Sequence, residues 1–270
     1  MSKIINMNIQ SICEQVITLA RETGGFIRTQ RKSFSIDRVE SKGLHDFVSY
    51  VDKESEKKIV AKLKGIVPQA GFIAEEGTGE KNPNGLNWII DPLDGTTNFI
   101  HGLPPYAISI ALMDNDQVIL GVIYEVTLDE CFYSWGENKA FLNGNPITVS
   151  STAKVSDSLI ATGFPYYDYE RMEPFLKSME HFMRYSHGLR RIGSAATDLA
   201  YVACGRFDSF YEYSLQPWDV AAGSFIVEQA GGKVCDFSGT KNYIFGKEII
   251  AANSKMFDEF RDITSDFLMK

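Results

Sequence analysis

Residues 88–101 read WIIDPLDGTTNFIH, and this segment constrains the fold more than any other. An apolar strand runs straight into two aspartates, Asp91 and Asp94, with a rigid proline between them. Pro92 fixes one backbone angle and keeps the turn from continuing as a strand, so both carboxylates are expected to converge just beyond a sheet. Two convergent carboxylates make a hard-cation site. Oxygen ligands with water suit Mg2+, which takes one or two carboxylates and leaves the rest of its shell for water and phosphate. Gly95-Thr96-Thr97 follows at once; the glycine lets backbone approach a ligand, and the next N–H groups could open a helical turn toward an anion. A turn whose aspartates merely cap backbone N–H groups is the competing reading.

Two further acidic elements bear on that choice. Glu75-Glu76 ends another short apolar run, before a Gly-rich loop, and Asp219 follows Trp218 at the start of a helix built of Ala221, Ala222 and Gly223. Asp219 alone would serve as a cap or first-turn residue. The small residues, however, permit close packing of that helix end, which could bring Asp219 to the other carboxylates.

The surrounding pattern predicts alternating layers. Ile9, Ile12, Cys13, Val16, Leu19 and Ala20 recur at helical spacing, and Gly24-Gly25 is expected to stop that helix. A charged, irregular stretch at 29–42 precedes a second helical run in which Val48, Val51, Ile59, Leu63 and Ile66 mark one face before Pro68, with Asp52 near its start. Residues 71–74 and 87–90 read as strands joined by a mobile loop at 77–85. Strands follow at 107–113, 118–124, 131–135, 140–142 and 147–149, the last two joined by the hairpin signal Asn143-Gly144. Beyond residue 150, strands at 158–162, 189–192, 207–213, 233–236 and 248–251 alternate with helices at 170–183, 194–204, 218–230 and 256–268. No repeat or linker divides the chain. The reading is one α+β domain over 1–270, with a β-rich first lobe to about 150 and an α/β second lobe from about 151.

Composition excludes several classes. The 270 residues hold 27 lysines and arginines against 35 aspartates and glutamates, a net charge of −8, so the surface should repel nucleic acid and anionic lipid. The longest apolar stretches, such as 107–113, fall far short of the roughly 20 residues that span a bilayer, and the amino terminus lacks a charged segment followed by an apolar one. The four cysteines are scattered, without a CxxC pair, which suits a reducing cytoplasm. GTGEK lacks the full P-loop pattern. His45, His101, His181 and His187 have no HExxH or triad-like context, and His101 reads as structural.

These segments together resemble the inositol monophosphatase family of Mg2+-dependent, lithium-sensitive phosphatases. WIIDPLDGTTNFIHGLP is similar to that family's first signature and WDVAAGSFIVEQAGG, residues 218–232, to its second. FIAEEG, the run Phe210-Tyr211-Glu212 before the second signature and the terminal IIAANS fall in the family's order too, so the resemblance spans nearly the whole chain. It implies a layered α-β-α-β-α sandwich of the sugar-phosphatase type. It also implies that Glu75, Asp91, Asp94, Asp219 and the Leu93 carbonyl hold two or three Mg2+. Gly95 and Thr96 would receive the phosphate, and the Thr96 hydroxyl and Asp52 would orient and help deprotonate a water. The leaving alcohol would lie near Asp94, Asp219, Ala195 and Glu212. The implied reaction releases phosphate from a small sugar-alcohol phosphate such as inositol monophosphate, in a homodimer, with no covalent intermediate. The aspartates stand three apart with proline after the first, unlike the DxDxT string of haloacid dehalogenase-type enzymes.

Fructose 1,6-bisphosphate, NADP(H), 3'-phosphoadenosine 5'-phosphate and histidinol phosphate remain rival substrates, and a non-catalytic metal- or phospholigand-binding regulator is the rival of another class. Ala74 stands where the family usually has glycine, yet both glutamates remain. Lys42 falls near a basic residue of the family's amino-terminal loop, outside the core site. The aromatic segment 163–172, GFPYYDYERM, reads either as a packed surface loop or as a face for a base or sugar.

Overall fold

The structure is a computed structural model that describes residues 7–35, 39–43, 46–83, 85–165 and 168–269, with backbone alone over 39–43 and 46–48. In chain order the elements are α1 (Ile9–Lys32), β1 (Val39–Gly43), β2 (Asp46–Ser49), α2 (Tyr50–Ile66), β3 (Gly71–Ala74), β4 (Leu86–Asp94), α3 (Thr96–His101), β5 (Ala107–Asp114), β6 (Gln117–Glu125), β7 (Glu130–Trp135), β8 (Ala140–Leu142) and β9 (Asn145–Ile147). They continue as β10 (Leu159–Thr162), α4 (Met172–Tyr185), β11 (Gly188–Arg190), α5 (Ala195–Ala203), β12 (Ser209–Tyr213), α6 (Pro217–Gln229), β13 (Gly232–Cys235), β14 (Glu248–Asn253) and α7 (Phe257–Leu268).

A seven-stranded sheet runs β3-β4-β5-β6-β7-β8-β9, and a five-stranded one runs β11-β10-β12-β14-β13. In the first, only β3 and β4 pair in parallel. Period-2 alternation divides its side chains between two cores. Along β5, Ile108, Ile110 and Leu112 enter a core shared with α1 and α2, whereas Ala107, Ala111 and Met113 enter a second core with α5 and α6. The five-stranded sheet closes that second core with Phe210, Ile249 and Ala251, and its other face packs Tyr211, Tyr213 and Ile250 against α4 and α7. The layers therefore run helix, sheet, helix, sheet, helix, in the order the resemblance implied.

Small residues set the spacing of the middle layer. A Cβ added at Gly121 of β6 would meet the Ala222 carbonyl at 2.8 Å, and one at Gly223 would meet Leu199 at 2.6 Å. Helix α6 thus lies close to both the sheet and α5, as Ala221, Ala222 and Gly223 suggested.

Four local expectations are corrected, the first being that Val48, read with the second helix, lies in β2, so that α2 begins only at Tyr50. The helix that opens the chain does not stop at Gly24-Gly25 but continues to Lys32. Gly24 is buried, and a side chain there would collide with the Tyr124 ring; the glycine serves helix–sheet approach, not termination. The stretch 29–42 is accordingly not irregular throughout, since it contains the last turn of α1 and most of β1. Finally, Pro92 does not end its strand, because β4 runs on to Asp94.

Candidate active site

The continuation of β4 past Pro92 decides where the carboxylates point. The pairing with β5 runs Ile89 to Ala111, Ile90 to Ile110 and Asp91 to Ser109, then jumps to Asp94 opposite Ala107. Three steps on one strand oppose two on the other, which is a β-bulge, a position that tolerates the missing proline N–H. Ala107, Ser109 and Ala111 alternate onto the face that packs against α5 and α6, and the Ser109 hydroxyl donates to the Trp218 carbonyl at 3.0 Å. In an unbroken pleat, residues 91 and 94 would point to opposite faces. The bulge puts both on the inner face.

Helix α6 brings the third carboxylate. Asp219 sits in its first turn, where Oδ2 accepts the Gln216 N–H at 2.7 Å in a capping box. Asp91, Asp94 and Asp219 each offer an oxygen within 4.8 Å of the other two. Asp91 Oδ1 accepts the Leu93 N–H at 2.9 Å, and Asp94 Oδ2 accepts the Ser194 hydroxyl at 2.6 Å and the Ala196 N–H at 2.7 Å. Glu75 follows β3 and lines the same cavity. The loop after it is fixed by buried Glu56 of α2, whose carboxylate accepts the N–H groups of Glu76 at 2.7 Å and Thr78 at 2.8 Å.

Burial and mutual repulsion set the electrostatics of the cluster. Burial, then the facing Glu75, Asp94 and Asp219, hold the Asp91 carboxyl well above the usual range. Burial lifts Asp94 to about 6 against its hydrogen bonds from Ser194, Ala196 and Ala195 and the nearby Arg191. Burial and Asp94 together lift Asp219 to about 7. Converging carboxylates of one sign are offset either by protons or by a cation. An all-oxygen donor set with repulsion to relieve fits a hard divalent ion such as Mg2+.

Asp52 lies one residue behind the cavity wall. It closes the α2 capping box, its Oδ2 accepting the Ser49 N–H at 2.9 Å and the Ser49 hydroxyl at 2.6 Å. The Thr96 hydroxyl is 2.9 Å from both Asp52 Oδ1 and the Leu93 carbonyl, each an acceptor for its single proton. Gly95 takes φ 89° and ψ 35°, the left-handed region that favours glycine, and so turns β4 into α3. Glu75, Asp91, Leu93, Asp94, Gly95, Thr96, Ala195, Glu212 and Asp219 line one cavity of about 400 Å³. Asp52 reaches it through Thr96. The side chain of Lys42 and residues Tyr166 and Tyr167 lie outside the described residues.

A model of the inositol monophosphatase family matches residues 8–265. The chain belongs to the inositol monophosphatase family. It is 38% identical over 253 residues to an inositol-1-monophosphatase of Mesorhizobium japonicum, covering 93% of this chain and 92% of that protein. It is 37% identical over 259 residues to the Nus factor SuhB of Escherichia coli K12, covering 94% and 97%. The solved structure of the extragenic suppressor protein suhB from Bartonella henselae superposes with a TM-score of 0.88 at 36% identity, covering 96% of this chain and 99% of that one.

Within this member of the inositol monophosphatase family, Ala74 is ordinary extended strand at the end of β3, so its methyl group meets no conformational barrier. Ser194, Arg191 and Asp198 are among the cavity residues that sequence reasoning did not place in the site. Ser194 was legible as a helix cap but not as a donor to Asp94. Arg191 gave no signal. Asp198 did: it is the single charged residue in AATDLAYVA, the helix α5, whose other residues are apolar or neutral.

Proposed function

We propose that this protein is a Mg2+-dependent phosphomonoesterase acting on a small phosphorylated polyol, with inositol monophosphate as the favoured substrate. The observation that carries the proposal is the bulge-directed convergence of Asp91 and Asp94 with Asp219 in one cavity. Glu75, Asp91, Asp94, Asp219 and the Leu93 carbonyl would hold two or three Mg2+. Bound there, the ions supply charge neutralisation at the phosphoryl and leaving oxygens and acidify water.

The chain's own groups do the rest. Gly95 and Thr96 receive the phosphoryl group through backbone N–H groups where α3 begins, a position that favours anions. The Thr96 hydroxyl accepts a proton of the attacking water on its free lone pair as it passes its own proton to Asp52 Oδ1, to which it already donates. Asp52 is buried and its carboxyl is raised above the usual range mainly by that burial, which makes it a better proton acceptor than an exposed aspartate. Water adds to phosphorus as the bond to the alcohol oxygen breaks, and the departing oxygen takes a proton from solvent, giving inorganic phosphate and the free polyol. Ala195, Glu212, Asp94 and Asp219 border the leaving alcohol. Both sheets contribute, so the reading treats 1–270 as one working domain. We extend it to a homodimer in the cytoplasm, and the net charge of −8 supports a partner list without nucleic acid or membrane. Among the described residues no helix is long and apolar enough to cross a membrane.

The relative named as a Nus factor supports a second reading, a regulatory binding role alongside turnover or in place of it. Initial rates on inositol 1-phosphate, fructose 1,6-bisphosphate, NADP and 3'-phosphoadenosine 5'-phosphate, with Mg2+ and with chelator, separate these readings. Fastest release from inositol 1-phosphate, abolished by chelator and inhibited by millimolar lithium, is the expected result. No release from any ester with Mg2+ present would leave the regulatory role.

A further inference from the structure

Helix α5 begins at the acidic cluster, with its cap Ser194 and the Ala196 N–H on Asp94. Residues three and four positions on share a helix face and stand one turn, about 5 Å, further along the axis. Asp198 occupies that next turn and lines the same cavity as Ser194 and Ala195. It is 1% exposed, and among the described residues its Oδ1 has no hydrogen-bond partner. Buried carboxyl oxygens are nearly always paired, so an unpaired one in a cavity wall marks a place for a ligand group. Facing it are Glu212 on β12 and Arg191, whose charges respectively oppose and favour its ionised form. In its present position the Glu212 carboxyl group occupies the space that a Cβ at Gly163 would fill.

Building on the phosphatase reading above, we propose that Asp198 is a specificity-determining residue that hydrogen-bonds a ring hydroxyl of the polyol leaving group. One helix turn from the metal end is the scale of a sugar or cyclitol ring. A hydroxyl both donates and accepts, so it satisfies the Asp198 carboxyl whether that group is protonated or ionised. An alcohol without further hydroxyls leaves it unsatisfied. The ring of p-nitrophenol carries no hydroxyl beyond the ester oxygen, so it has no group that can both donate and accept at this wall. Discrimination of this kind is large where a site is built to bond a hydroxyl.

The test compares inositol 1-phosphate with p-nitrophenyl phosphate for the wild type and for Asp198→Asn and Asp198→Leu, each checked by thermal melting. The expected result is a fall of about 10- to 100-fold in kcat/KM for inositol 1-phosphate in Asp198→Leu, mostly in KM, with p-nitrophenyl phosphate changed by less than about twofold. Asp198→Asn, which keeps an acceptor oxygen, should retain part of the preference. Equal losses on both esters, or an unchanged ratio in a folded variant, would overturn the proposal. Should neither variant fold, the wild type still decides it. Among inositol phosphates lacking one hydroxyl each, at least one must lose about tenfold, and uniform rates across the series refute it. Wild-type turnover of p-nitrophenyl phosphate tests the phosphatase reading separately. Were that absent, calorimetric binding of inositol to wild type and Asp198→Asn would judge Asp198 alone: weaker binding by the variant supports it, equal binding refutes it.

Discussion

The Ser194 hydroxyl donates to Asp94 Oδ2 over 2.6 Å, joining the bulged end of β4 to the cap of α5 across a hundred residues of sequence. The same oxygen caps its own helix by accepting the Thr197 N–H at 3.2 Å. Ser194→Ala removes both interactions. The expected cost is about 1 to 2 kcal/mol of stability, read by urea denaturation, together with a several-fold rise in the Mg2+ concentration needed for half-maximal phosphate release. A variant that loses stability while keeping its Mg2+ requirement would confine Ser194 to capping.

Asp219→Asn separates stability from activity. Replacing one carboxylate relieves the repulsion that Asp91 and Asp94 impose on it, so the chelated variant should melt above wild type at about pH 8. With Mg2+, phosphate release should fall by at least about 100-fold. Loss of activity with an unchanged or lowered melting temperature in chelator would place the repulsion elsewhere.

The pH dependence of stability follows from the same carboxyls. In the fold Asp94 is raised to about 6 and Asp219 to about 7 from a normal 3.8. Between the normal and raised values the folded chain holds protons that the unfolded chain has released, so stability falls as pH rises through that window. In chelator the melting temperature should therefore drop from about pH 5 to about pH 8. Added Mg2+ should raise it more at the upper pH than at the lower, which differential scanning calorimetry at matched ionic strength will show.

Adjacent glycines of α1 should respond in opposite directions. Helix propensity favours Gly→Ala by about 1 kcal/mol, and at Gly25 nothing lies within 4 Å of an added Cβ; Gly25→Ala should stabilise by about 0.5 to 1 kcal/mol. At Gly24 the methyl group would enter the Tyr124 ring. That ring cannot easily swing aside, since its hydroxyl donates to Asp129 at 2.6 Å and accepts from Arg28 at 2.7 Å. Overpacking of about 1 to 3 kcal/mol then outweighs propensity, and Gly24→Ala should unfold at lower denaturant than wild type.

Much of this was legible in the sequence because periodicity and turn chemistry are local. The Asn143-Gly144 hairpin forms with both residues at positive φ, and Ser194 caps its helix as its position suggested. What was not legible depends on partners distant in the chain. Gly24 looks like a terminator until Tyr124 is beside it, and Pro92 looks like a strand end until the register with β5 reveals the bulge. Asp91, Asp94 and Asp219 were recognisable as acids with a common purpose, whereas the hydrogen bond from Ser194 and the unpaired oxygen of Asp198 arise only from packing the second sheet's helices on the first.

The division of the cavity between β4 and the later helices also bears on synthesis. At about 5 to 20 residues per second, the hundred residues that separate Asp94 from Ser194 occupy a ribosome for roughly 5 to 20 seconds. During that interval the growing chain displays its first carboxylates without the helices that position them. On the proposed phosphatase reading, hydrolytic competence thus arrives late and abruptly, so phosphate release from a translating sample would time the completion of folding.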